Sequence, residues 1–128
     1  MKRALNPPNA PKPIGPYSSV VVANGFIFVA GQGPVDLATG NLIESDSIED
    51  QTRATLTHVR TLLEATGSSL EQVVQVRVFL KEIDDFGGMN AVYKEFFNHP
   101  APPVRTTIEA PNLYGKRMKI EIECVAAV

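Results

Sequence analysis

The chain has 128 residues, 44% of them hydrophobic and 20% charged, enough for a single globular domain (residues 1–128) with its own core. Its 12 Lys and Arg against 14 Asp and Glu give a formal net charge of −2. That balance argues against nucleic acid or an anionic membrane as partner, since both are met by basic surfaces. The one cysteine, Cys124, excludes an internal disulfide and a thiolate metal cluster, and no stretch reaches the length of a membrane span.

Residues 1–16 carry Pro7, Pro8, Pro11, Pro13 and Pro16, which forbid a helix and predict an extended segment, free or laid along a neighbouring surface. The basic start, Met1-Lys2-Arg3, has no apolar run behind it, so it does not read as a signal peptide and the cytosol is the expected compartment. Ser18 to Ala23 and Phe26 to Ala30 are β-rich runs on either side of Asn24-Gly25, a two-residue hairpin turn. Gly31-Gln32-Gly33-Pro34 then reads as a bulge or strand exit, and its glycines lack the spacing of a phosphate loop. Asp36 to Asn41 is a turn.

A helix is expected from about Ser47, with Asp50 three residues on as an approximate capping box. Ile48, Leu56, Val59 and Leu63 share one face, Thr52 and Leu62 lie beside them, and Gly67 ends the helix near Thr66. Val73 to Lys81 reads as a strand in which Val74, Val76, Val78 and Leu80 alternate with Gln75, Arg77, Phe79 and Lys81. Asp84 or Asp85 opens a second helix that runs to about Asn98, with Met89, Val92, Tyr93, Phe96 and Phe97 apolar. Pro100, Pro102 and Pro103 break it and lead into a strand around Arg105. His58 and His99 read as surface or packing residues, and Cys124 as a small buried hydrophobe.

The last quarter holds two strands with unusual charges. Arg105 sits between Val104 and Thr106-Thr107-Ile108, and Glu121 sits among Met118, Ile120, Ile122 and Cys124, which alternate with Lys119, Glu121 and Glu123. If the two strands lie near each other, a guanidinium and a carboxylate point into one space. The predicted order is β-β-α-β-α-β-β, an α+β fold with two helices on one face of a mixed sheet. The other face, with some of Tyr17, Phe28, Phe79 and Val125 among charges, has no cover from its own chain, which predicts association with further copies and a shared, concave site.

Arg is the side chain suited to a planar carboxylate, because its fork makes two parallel charge-assisted hydrogen bonds. A Glu beside it orders or activates water. The Gly31 N–H adds a donor, Tyr17 a phenol at the rim, and Asn90 an amide from the second helix. On residue types alone, a plain Arg–Glu salt bridge between adjacent strands is the commoner arrangement.

The segments Gly15-Pro16-Tyr17-Ser18, Phe28-Val29-Ala30-Gly31-Gln32, Met89-Asn90-Ala91-Val92-Tyr93, Phe96-Phe97, Pro103-Val104-Arg105-Thr106 and Ile120-Glu121-Ile122-Glu123 span essentially the whole chain. Their order and spacing resemble the Rid (YjgF-like) family of reactive-intermediate deaminases. The resemblance implies a chorismate-mutase-like subunit and a homotrimer with a central β-barrel and clefts between subunits. It implies hydrolysis of 2-imino acids and their enamines, of the 2-iminobutanoate and 2-iminopropanoate type, to 2-oxo acids and ammonia, with no cofactor and no metal. Arg105 would then pair with the substrate carboxylate, helped by Gly31, while Glu121 holds the attacking water, Tyr17 closes the cleft and Asn90 supports it. The family pattern commonly has serine where this chain has Ala30, and cysteine where it has Thr107, both at substrate-binding positions. Two rivals stand beside this expectation: a non-catalytic regulator that binds 2-oxo acids, and, with less support, a ribonuclease or translation inhibitor.

Overall fold

The computed structural model describes residues 1–8 and 10–128. Eight elements follow in chain order: β1 (Arg3–Leu5), β2 (Val20–Ala23), β3 (Phe26–Gln32), α1 (Ile48–Ala65), β4 (Val73–Leu80), α2 (Phe86–Phe96), β5 (Val104–Glu109) and β6 (Ile120–Ala127). Single 3-10 turns precede β4 and α2. The strands form one six-stranded sheet in the order β1-β2-β3-β6-β4-β5. Only β4 and β5 run parallel, joined by the α2 crossover; the other pairs are antiparallel. Two helices on one face of a mixed sheet is the expected α+β architecture. None of the helices is long and apolar enough to cross a membrane, among the described residues.

Local chemistry accounts for most boundaries. Asn24 and Gly25 both take positive φ, as the tight hairpin requires. Ser47 caps α1 by accepting the Asp50 N–H at 3.2 Å, and Gly67, at φ +91°, reverses the chain after the helix. The core lies between the helices and the sheet, where Leu56, Val59, Leu62 and Leu63 of α1 meet Ile27, Val76, Val78, Leu80, Ile120 and Ile122.

The structure corrects the expected order in two places. Within the proline-rich start, Arg3–Leu5 pairs with β2 and adds a strand ahead of the hairpin. In β4, Val73 pairs with Ala126 and Gln75 with Val125, so Val74 is an extra residue. Val73 is buried and Val74 exposed, whereas uniform alternation put Val74 with Val76. The bulge shifts the parity by one residue at the strand's start.

His58 is a packing residue, wholly buried, and neither ring nitrogen has a hydrogen-bond partner among the described residues. Burial, the larger cause, holds its pKa below the ordinary 6.5 against an upward pull from the Gly33 backbone. Above that value the ring is neutral in both states. Below it the unfolded chain takes up a proton that the folded chain refuses, so stability falls with pH, by at most about 1.4 kcal/mol per unit from this group. Urea unfolding at pH 7.5 and 5.5 is expected to show the decline, and His58→Leu to flatten it. An unchanged decline in the variant would assign it to other groups.

Candidate functional site

The site begins at an irregularity in β3. Val29 pairs with Cys124 and Gln32 with Ile122, so Ala30 and Gly31 together oppose the single Glu123. The Gln32 side chain holds this bulge by donating to the Ala30 carbonyl at 2.8 Å, and the Ala30 N–H donates to the Ser19 carbonyl at 3.0 Å. The bulge brings Gly31 against the Glu121 carboxylate, and a Cβ at Gly31 would overlap it. Gly31 is therefore needed for close approach, and its φ is not in the left-handed region.

Glu121 lies on the open face of the sheet, in a row with Phe79 and Ile108. None of the ion pairs among the described residues involves it. Burial raises its pKa above the ordinary carboxylate value, and the like charge of Glu123 raises it further. Glu123 itself pairs with Arg77 at 3.5 Å.

Glu121 and Gly31 floor a cleft of about 640 Å³, with Ala30 and Tyr17 also in its lining. Tyr17 comes from the proline-rich start. Its ring lies 3.7 Å from a Cβ built at Gly15, and its hydroxyl accepts the Ile14 N–H at 3.4 Å. The far wall is the loop before β6. Buried Gln51 of α1 fastens it, donating to the Arg117 carbonyl at 3.0 Å and accepting the Lys119 N–H at 2.8 Å. A shallower depression of about 380 Å³ beside α1 holds Asp50, whose carboxylate accepts from the Ser45 hydroxyl, and Arg53, paired with Glu95, and none of the predicted site residues.

Arg105 belongs to a second group of side chains. It pairs with Val76, which pairs with buried Cys124, so it points to the helix face of the sheet. There Asn90 Oδ1 accepts its Nη1–H at 2.8 Å, and its guanidinium lies 4.5 Å from the Tyr93 ring centre and 5.4 Å from that of Phe86. None of the ion pairs among the described residues includes Arg105. One of its five N–H donors meets Asn90, and the others are left for a planar anion. Thr107, two residues on, faces the same way, and its Oγ1 and the Tyr93 hydroxyl are buried without partners among the described residues. The Tyr93 hydroxyl is pushed up to about 12 by burial, against the opposing pull of Arg105. Cys124 is buried, with its thiol likewise raised to about 12 by desolvation, in keeping with a packing role.

Within one chain, then, Glu121, Gly31, Ala30 and Tyr17 share the cleft, and Arg105, Asn90 and Thr107 lie elsewhere. The expectation that Arg105 and Glu121 point into one space is not met inside a single chain. Strand β4 separates β5 from β6, and the register puts the two side chains on opposite faces. The same geometry excludes a salt bridge between them within the chain. Phe86, Asn90 and Tyr93 have the helical spacing of a shared face, and that spacing is the sequence signal for this cradle.

The sequence profile of the family described as endoribonuclease L-PSP matches residues 7–128. The chain belongs to this family, the YjgF/Rid family. A RutC family protein of Pyrococcus horikoshii is 46% identical over 126 residues, covering 98% of each chain. A protein of Dermatophagoides farinae named 2-iminobutanoate/2-iminopropanoate deaminase is 33% identical, over 99% of this chain and 97% of its own. Among solved structures, E. coli TdcF with bound serine is 34% identical, matches 98% of both chains and superposes with a TM-score of 0.87. The Rid fold thus agrees with the observed helices and sheet.

Proposed function

We propose that this Rid-family protein hydrolyses 2-imino acids and their enamine tautomers to 2-oxo acids and ammonia, at a cleft shared between copies. The observation that carries the reading is Arg105: a half-buried guanidinium, oriented by Asn90 and Tyr93, with no carboxylate partner among the described residues. A fixed, uncompensated guanidinium is a receptor for a planar carboxylate. Glu121, with no ion pair of its own and a raised pKa, is suited to hold water and accept its proton.

In this reading Arg105 of one copy binds the substrate carboxylate over the Glu121 cleft of the next, with the Gly31 N–H alongside and Tyr17 closing the wall. Water attacks the imine carbon and Glu121 takes its proton. Glu121 returns that proton to the carbinolamine nitrogen, the C–N bond breaks, and ammonia leaves as the hydroxyl passes its own proton to Glu121 and the carbonyl forms. The imine carbon is already electrophilic, so positioning supplies most of the advantage. The deaminase named in Dermatophagoides farinae and the serine bound to TdcF fit an amino-acid-sized, carboxylate-bearing ligand.

The sharing calls for a trimer, and the open face is where it would form. Phe26, Phe28 and Ile108 are exposed there, an apolar set without cover from its own chain. Light scattering is expected to give the mass of three chains, and a monomer would remove the shared cleft.

Ala30 favours one second reading, a regulator that binds 2-oxo acids without turnover, because no side-chain hydroxyl is available at that position. The ribonuclease reading has less support: His58 is sealed in the core and the net charge is −2. A coupled assay separates the first two. A threonine dehydratase or an amino-acid oxidase generates the imine, and its decay is expected to accelerate with the protein. Unchanged decay with 2-oxo acid still bound would favour the regulator.

A further inference from the structure

We infer that the cleft over Glu121 selects 2-imino acids with a bulky apolar side chain, read by a wall of Leu42, Tyr114 and Met118; this rests on the deaminase reading above. The cleft volume of about 640 Å³ lies within the ~300–1,000 Å³ of pockets that enclose drug-sized ligands.

The polar groups that the chemistry needs, Glu121 and Gly31, sit at the floor. The opposite wall is apolar: Leu42 from the loop after β3, and Tyr114 and Met118 from the loop before β6. That wall is preformed. Glycines let its parts meet, since a Cβ on Gly33 would lie 2.6 Å from Met118 Cε, and one on Gly115 would lie 2.9 Å from Met118 Sδ and 3.1 Å from Leu42 Cδ1. The Met118 N–H donates to the Gly115 carbonyl at 2.9 Å, and Gln51 pins the next residue at 2.8 Å. Tyr114 differs in being 80% exposed while lining the cleft. An aromatic ring so placed has apolar area to offer a ligand. Lys12 also lines the cleft, but it is a solvent-exposed point charge on a flexible stem and imposes no shape.

A leucine-, methionine- or phenylalanine-type side chain offers this wall more apolar surface to cover than a methyl or ethyl substituent on the imine carbon does. In a hydrophobic pocket one methylene is worth roughly tenfold or more in kcat/KM.

The test compares imines generated in situ from Ala, Leu, Met and Phe by an amino-acid oxidase, and from Asp by an aspartate oxidase. The expected result is a kcat/KM at least about tenfold higher for the Leu- and Met-derived imines than for the Ala-derived one. The Leu-to-Ala ratio is expected to collapse in Tyr114→Ala and in Leu42→Ala, and as a ratio it is insensitive to a general loss of active protein. A flat wild-type profile, a ratio that survives in both variants, or a preference for the Asp-derived imine would overturn the inference. Should no imine be consumed faster, the deaminase reading fails on its own. The wall is then read from the Kd values of the 2-oxo acids of leucine and alanine: a ratio of about tenfold supports it and equal values overturn it.

Discussion

Arg105→Ala is expected to weaken binding of short 2-oxo acids by about 100-fold or more, with the fold intact. Truncating one partner of a desolvated, hydrogen-bonded charge pair costs ~2–5 kcal/mol, and about 1.4 kcal/mol is tenfold in Kd. The folded chain loses much less. Among the described residues Arg105 has no counter-ion to strand, so the change removes one hydrogen bond to Asn90 and the contact with Tyr93, on the order of 1 kcal/mol. Arg105→Lys is expected to stay nearer the alanine variant than the wild type. An ammonium makes neither the paired hydrogen bonds to a carboxylate nor the guanidinium's contact over the Tyr93 ring. Calorimetry with a 2-oxo acid, alongside urea unfolding, checks both halves. Wild-type affinity in Arg105→Ala would remove the carboxylate assignment.

The elements were legible because local chemistry fixes them. Asn24-Gly25, Ser47 with Asp50, and Gly67 mark boundaries through backbone conformation or a nearby hydrogen bond, all within a few residues. The short β1 strand was hidden because its proline-rich surroundings contain no partner; Val20 to Val22, which it pairs with, lie well downstream. The bulges at Ala30-Gly31 and at Val74 were hidden for a similar reason, since they exist only relative to the facing strand β6. Alternation placed Arg105 and Glu121 correctly on strands, but whether they share a face depends on β6 entering the sheet between β3 and β4. No periodicity within either strand carries that information. Gly31 read as a bulge and proved to be one, yet its contact with Glu121 is tertiary. Residue types already put Tyr17, Gly31, Asn90, Arg105 and Glu121 forward for one site, and the family segments added a role for each.

Glu121→Gln is expected to keep 2-oxo acid binding and to lower turnover by roughly 10²–10⁴-fold, the usual contribution of a positioned acid or base. The amide keeps the shape beside Gly31 but takes no proton from water. The pH profile carries the same assignment. Only the carboxylate form is a base, so activity must rise with pH through the pKa of Glu121, which burial first and Glu123 second lift above the usual 4.5. Glu123→Gln removes the like charge and is expected to move this acid limb to lower pH. A limb that persists in Glu121→Gln would belong to another group. The two site variants then test the sharing directly. In a trimer whose cleft takes Arg105 from one copy and Glu121 from the next, random mixing of equal amounts of Arg105→Ala and Glu121→Gln chains leaves about a quarter of the clefts with both side chains intact. Refolded mixtures are therefore expected to recover about a quarter of wild-type activity, although each variant alone is nearly inactive. If both residues instead served from the same copy, no mixture would contain an intact site. The sheet register makes that outcome the less expected one, because it turns Arg105 and Glu121 of one chain to opposite faces.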